Sequence, residues 1–315
     1  MQVVYPRNAL NDRKVRCMFT NPTVLFIQVM NSVSLAMNLF IIAAGLTLIF
    51  GVLRIVNFAH GAFYMVGAYV ALSILRVTGD TDLGFLLGVL GSGVVMGAIA
   101  FVVERGLLSR LYDKEHMLQL LFTFALVLVI KDIVKMIWGT GQYSIGAPPF
   151  LRGAVNLGIT YYPKYMLFLC ALGPLIAIAI WFFMERTRWG RILRAAREDR
   201  VMLNALGTDV KMVYSGVFVT GAALAAMGGA LAAPRSAVDP GMDALVIIDA
   251  FIIVIIGGLG SLLGSFVGAL ILGFLTVMGS IYLGEWVIVA SYVMMVVILL
   301  VRPWGLFGKA DEERH

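Results

Sequence analysis

Charge is scarce in this sequence. Of 315 residues only 13% are Asp, Glu, Lys or Arg, while 61% are hydrophobic, and the mean hydropathy is +0.94. Soluble domains carry about a quarter of their residues as charges, so the main solvent here must be lipid. Cys17 and Cys170 are the only cysteines; they have no nearby partner and no metal-ligand spacing, which argues against a disulfide framework or a zinc site. His60, His116 and His315 are scattered, and no serine or cysteine sits in a nucleophile motif. No catalytic and no metal-ligating residue is therefore expected. The GxxxxGK[ST] loop of a nucleotide-hydrolysing pump is missing too: Gly308-Lys309 is followed by Ala310 and lacks the upstream glycine, so the chain cannot use ATP alone.

What the sequence has instead is apolar length. Uncharged runs cover residues 17–53, 55–75, 83–103, 165–184, 212–234 and 250–284. Several match the roughly 20 residues that a helix rising about 1.5 Å per residue needs to cross the hydrocarbon core. They are too long and too continuously apolar for barrel strands, and backbone amides in lipid must be satisfied within the segment. The expected fold is all-α: a polytopic integral membrane protein with about eight membrane elements, some broken or re-entrant. These elements fall at 24–50, 58–76, 83–104, 117–138, 163–184, 212–233, a glycine-broken stretch 245–281, and 286–302. A transmembrane domain then covers 24–308, between a basic tail 1–23 and a short tail 309–315. The apolar stretch after the first tail is much longer than a signal-peptide core, so the tail is expected to be retained.

Seven of the 24 basic residues fall within 186–211: Arg186, Arg188, Arg191, Arg194, Arg197, Arg200 and Lys211. The positive-inside rule makes this segment cytoplasmic. It also explains the net charge of +6 without nucleic acid, for which no soluble domain is large enough. Residues 104–116 fall on the same side, and residues 78–82, 139–163, Asp239 and Asp243 on the other. Counting 24–50 and 58–76 as full crossings puts the basic N-terminal tail outside. Either the tail breaks the rule or residues 51–76 re-enter.

Three blocks stand out. In GVLRIVNFAHGAFYMVGAYV, residues 51–70, Arg54, Asn57 and His60 recur every three residues in apolar sequence. Helical spacing puts them on one side of a helix. Ionisable groups at membrane depth cost about 2.5–3.5 kcal/mol on insertion scales, so they face a protein interior or a wet cavity; Gly51, Gly61 and Gly67 let another backbone or a solute come close. These residues either line a translocation path, with Gly61 beside them, or Arg54 snorkels while Asn57 and His60 bond a neighbouring helix. In TRWGRILRAAREDRVMLNALGTD, residues 187–209, apolar Ile192, Leu193, Ala196, Leu203 and Leu206 alternate with charges. This reads as a short amphipathic helix ended by Gly207, which either rests on anionic lipid or docks a soluble partner through Arg194, Arg197, Glu198 and Asp199. In GAALAAMGGA (221–230) and GGLGSLLGSFVGALILG (257–273), the triplets Gly221, Ala225, Gly229 and Gly260, Gly264, Gly268 each share a helix face. Small residues at this spacing pack helices closely in lipid, while the weak helix at 257–261 also suits a nearby path.

Taken together, GLTLIFGVLRIVNFAHGAFYMVGAYV (45–70), RWGRILRAAREDRVMLNALG (188–207) and IGGLGSLLGSFVGALILG (256–273) resemble the LivH-type permeases of branched-chain amino-acid ABC importers, over nearly the whole stretch 24–308. The resemblance implies a multi-pass protein of a bacterial inner membrane, paired with a LivM-like second permease, two cytoplasmic ATPase subunits and a periplasmic solute-binding protein. ATP and Mg2+ would be used by the ATPases, with no cofactor in this chain, and 187–209 would be the coupling segment. One departure is that the Glu-Ala-Ala start of many coupling loops is replaced by Glu198-Asp199, eight or nine residues before Gly207. Permeases for urea, short amides and carboxylates look alike in this family, so the solute is not read from the sequence. The alternatives are a passive channel or secondary carrier for such a solute, and a scaffold whose glycine faces serve assembly.

Overall fold

A computed structural model describes residues 21–112 and 114–308; most of the basic tail and the tail 309–315 lie outside the described residues. Helix α1, Pro22–Leu53, begins where the Asn21 side chain accepts from the Thr23 amide (3.1 Å), with Pro22 at the first helical position. Both choices suit donors that have no partner within the helix. At 32 residues it runs about 48 Å. It is followed by α2 (Ala59–Thr78), α3 (Asp82–Gly106), α4 (His116–Trp138), α5 (Lys164–Arg186), α6 (Arg188–Glu198), α7 (Arg200–Ala205), α8 (Val210–Ala232), α9 (Met242–Gly257), α10 (Leu262–Leu283) and α11 (Val287–Val301). A two-stranded hairpin, β1 (Ala154–Asn156) and β2 (Tyr161–Pro163), decorates the connection from α4 to α5. The all-α polytopic expectation holds. Six stretches among the described residues are long and apolar enough to cross a membrane, one of them joining α10 and α11. Neither α4, which carries Lys131, Asp132 and Lys135, nor the 16-residue α9 is among the six.

The core is built around α1. It runs antiparallel to α8, with Gly45 against Gly221 and Ile42 against Gly228, and antiparallel to α10, with Thr47 beside Ser265 and Ala36 beside Gly273. These pairs give a depth scale from the start of α1 to its end at the face carrying α6 and α7. On that scale α2 starts inside the protein. His60 Nε2 lies 2.9 Å from the Ile42 carbonyl, about 16 Å back along α1 from Leu53. The non-helical residues 54–58 therefore run back inward, with Ile55 and Asn57 buried, and α2 leaves on the face where α1 began. So 51–76 is a returning element that starts at depth, and the start of α1 lies on the face opposite α6 and α7.

Helix α9 also starts at depth. The Asp243 carbonyl and Ile247 pack on Gly61, and the Phe58 and Phe251 rings meet at 5.2 Å. The helix breaks at Gly258 (φ 102°) and Gly260 (φ 79°) before Ser261 caps α10 by accepting from the Gly264 amide (3.0 Å). Both torsions lie in the region that favours glycine. The freed carbonyls of Ile256 and Gly257 accept from Leu306 and Phe307 amides (2.9 and 3.0 Å), so the chain's last described segment completes α9.

Candidate translocation and coupling sites

The expectation that Arg54, Asn57 and His60 share one helix face is corrected by the structure. Arg54 ends α1 in the left-handed region (φ 58°), Asn57 lies in the connection, and only His60 is in α2. A period of three also suits a chain that turns, and no glycine marks the turn. Arg54 is exposed and lines a cavity of about 480 Å3 with Lys114, His116, Arg197 and Arg200 on the arginine-rich face. Asn57 Oδ1 accepts from the Ala59 amide (3.1 Å), which starts α2. A carbonyl can only accept, so His60 carries its proton on Nε2 and donates to Ile42. Two buried atoms are left without partners, the donor Asn57 Nδ2 and the acceptor His60 Nδ1. Buried orphans of this kind cost roughly 1–3 kcal/mol each and mark a place where water or a polar solute group would be satisfied. Gly61 gives close contact to α9: a Cβ there would meet the Ile247 Cβ at 2.9 Å.

The small-residue faces pack as follows. A Cβ on Gly221 would lie 2.8 Å from the Gly45 carbonyl, one on Gly229 would strike the Tyr64 carbonyl, and Ala225 is fully buried between them. Gly264 abuts the Gly257 carbonyl, and a Cβ on Gly268 would lie 2.6 Å from that of Ile253. Gly260 departs from the expected shared face because it sits in the α9–α10 break, where its close neighbour is Gly51 of α1, 2.9 Å from a Cβ built there.

The arginine-rich segment forms two helices where the sequence suggested one. Asp199 is extended (φ −148°) and its Oδ1 accepts from the Val201 and Met202 amides, both at 2.9 Å. An aspartate serving as cap to the next helix interrupts the first. Gly207 (φ 84°) then closes α7: its amide donates to the Asn204 carbonyl, and the Thr208 amide to that of Leu203, the paired bonds of a glycine C-terminal cap. Leu193, Ala196 and Leu203 are buried in one cluster with Val52, Val213 and Val217. Arg194 Nη1 donates to the Met184 carbonyl (2.7 Å) and pairs with Glu185 (2.8 Å), fixing α6 to the end of α5. Arg197 reaches the Gly260 carbonyl at 3.5 Å. Glu198 is exposed and lines the 480 Å3 cavity.

Two polar contacts escaped the sequence reading. Glu104 is fully buried and accepts from the hydroxyls of Tyr112 (2.5 Å) and Ser215, tying α3 to α8. Burial, with the Glu104 carboxylate second, pushes the Tyr112 pKa upward. Lys131 of α4 donates to Asp243 of α9 at 3.1 Å, the carboxylate side chain only 4% exposed. Ser215 lies 111 residues from Glu104 and Asp243 112 residues from Lys131, so no local pattern joins them.

Comparison with known proteins adds the last observation. A family model described as the permease component of a branched-chain amino acid transport system matches residues 28–301. The high-affinity branched-chain amino acid transport system permease protein LivH of Escherichia coli K12 is 29% identical, covering 91% of this chain and 96% of that protein. BraD of Pseudomonas aeruginosa, described in the same words, is 28% identical over 91% of this chain and 97% of its own length. LivM of Escherichia coli K12 is more distant, 23% identical over 87% of this chain and 68% of that protein. No solved structure matches. With its matched residues covering α1 through α11, the chain belongs to the family of permease components of branched-chain amino acid transport systems.

Proposed function

We propose that the chain is one membrane subunit of an ABC importer carrying branched-chain amino acids or a similar small polar solute. It works in a bacterial inner membrane with a LivM-like second permease, two cytoplasmic ATPases that use ATP and Mg2+, and a periplasmic solute-binding protein. The observation that supports this most is the α6–α7 pair. It is anchored by Leu193, Ala196 and Leu203, tied by Arg194 to α5 and by Arg197 to the α9–α10 break, and presents Glu198 outward. A rigid, charged surface joined to several spans is what a mechanical partner needs. A passive channel or secondary carrier has no use for it.

Glu198→Lys reverses the exposed charge, and Gly207→Val places a β-branched residue at positive φ, a strain of about 1–3 kcal/mol. Both variants are expected to reach the membrane while losing most uptake and most stimulation of ATP hydrolysis by loaded binding protein. If both activities are unchanged in both variants, α6 and α7 do not couple to an ATPase.

The solute path is placed beside Asn57 and His60, whose unsatisfied atoms can bond a passing solute without a net charge to trap it. Asn57→Leu should lower uptake several-fold in proteoliposomes holding the complete complex, with subunit pull-down and binding-protein affinity intact. Normal uptake would remove Asn57 from the path, and lost assembly would assign it to holding the start of α2.

A further inference from the structure

Two cavities meet on the arginine-rich face. The first, of about 480 Å3, lies between the end of α1, the α3–α4 connection and the α6–α7 pair, and is lined by Arg54, Lys114, Arg197 and Arg200. Among the described residues these cations form no ion pair, and Arg197 bonds only the Gly260 carbonyl, at 3.5 Å. Glu198 and Asp199 share the wall, but Asp199 Oδ1 is committed to the Val201 and Met202 amides. The second cavity, of about 360 Å3, is also lined by Arg54 and Arg197, and otherwise mainly by apolar groups, among them Phe50, Ile255, Leu299 and Trp304. Gln119 adds a buried polar group to the first cavity, being only 3% exposed. Its Nε2 donates to the Leu111 and Lys114 carbonyls at 2.9 and 3.2 Å. Carbonyls only accept, so these contacts fix which end of the amide is the nitrogen. Oε1 is left buried without a donor.

This corner of the protein therefore offers an excess of positive charge, a buried acceptor that lacks a donor, and an adjoining apolar chamber. A ligand that answers all of these is anionic, carries a hydroxyl and has an apolar tail. The geometry points to a binding site for an anionic phospholipid of the leaflet on the arginine-rich side. Its phosphodiester lies among Arg54, Lys114, Arg197 and Arg200, a headgroup hydroxyl donates to Gln119 Oε1, and an acyl chain enters the second cavity. Arg54 and Arg197 line both cavities and so stand where headgroup and chain join. Guanidinium–phosphate bonds belong to the strong, charge-assisted class, and basic pockets between helices at the cytoplasmic side are where lipid headgroups are held. Phe50 and Leu299 lie within a turn of the ends of α1 and α11, within reach of a chain from that leaflet. A free anion would fill the first cavity and leave the apolar one unused.

The site requires no particular solute, so its test reads lipid binding and not transport. The complete purified complex is placed in phosphatidylcholine nanodiscs that hold a little phosphatidylglycerol with a diazirine in its acyl chain. After irradiation the adducts are located by peptide mass spectrometry. Adducts on the segments holding Phe50 and residues 299–304 are expected to exceed several-fold those from phosphatidylcholine carrying the same diazirine. Arg54→Gln and Lys114→Gln should each lower them several-fold, while Arg188→Gln, on α6 but outside both cavities, should not. Unlabelled phosphatidylglycerol should compete several-fold better than phosphatidylethanol, which has the same charge and no headgroup hydroxyl. Equal adducts from the two diazirine lipids overturn the site, as would follow if an ATPase surface filled the cavities. Loss of the adducts in millimolar inorganic phosphate overturns it as well, leaving a site for free phosphate. Equal competition by phosphatidylethanol overturns the contact with Gln119. Should Arg54→Gln fail to assemble, Lys114→Gln and the wild-type comparison of the two lipids still decide.

Discussion

Lys131→Met is expected to destabilise the folded protein by about 3–5 kcal/mol, the loss typical when one partner of a buried ion pair is removed. Asp243 has only 4% of its side chain exposed and its ion-pair partner is Lys131, so the variant leaves a carboxylate stranded between α4 and α9. Asp243→Asn alone should cost less, because a neutral amide needs no counter-charge. The double variant Lys131→Met with Asp243→Asn should recover most of the loss. The measurement is unfolding by SDS titration in mixed micelles for all four proteins, analysed as a double-mutant cycle. Additive losses would show that the pair does not hold α9. A large coupling would show that it does, and that the start of α9 at membrane depth depends on it.

Gly264→Leu should be worse, with little folded protein recovered. The obstacle to a side chain there is the Gly257 backbone of α9, and a peptide group cannot rotate aside as a side-chain tip can. Overpacking of ordinary cores costs about 1–3 kcal/mol, and a clash with backbone exceeds that range. Leu263→Ala is the companion variant, since Leu263 is 62% exposed and faces away from α9. It should give wild-type yield and a monodisperse complex by size-exclusion chromatography. Equal yields from the two variants would mean that α9 and α10 can separate without loss, and the close-packed face would have no structural role.

The spans were legible because lipid imposes one solution on an apolar run, and α1, α2, α3, α5 and α8 follow the runs within a few residues. The failures have physical causes. Arg54, Asn57 and His60 keep a spacing of three whether the chain is helical or turning, and Arg54 takes a left-handed torsion without a glycine to announce it. Asp199 looked like one charge among many, yet two amide bonds to its side chain begin a new helix. Gly260 imitates the four-residue spacing of Gly264 and Gly268 while serving a turn. The contact between Lys131 and Asp243 joins residues 112 apart, and no local pattern predicts it.

The bonds from Leu306 and Phe307 to the carbonyls of Ile256 and Gly257 set an order for biogenesis. A ribosome that has just released α9 into the membrane has not yet made the residues that finish it. Until α10 and α11 have been made, those two carbonyls at the arginine-rich face have only water in place of their amide donors. A chain stopped at Val301 would keep that defect permanently, although every span had been inserted. Leu306 and Phe307 thus finish α9 from two helices further along the chain.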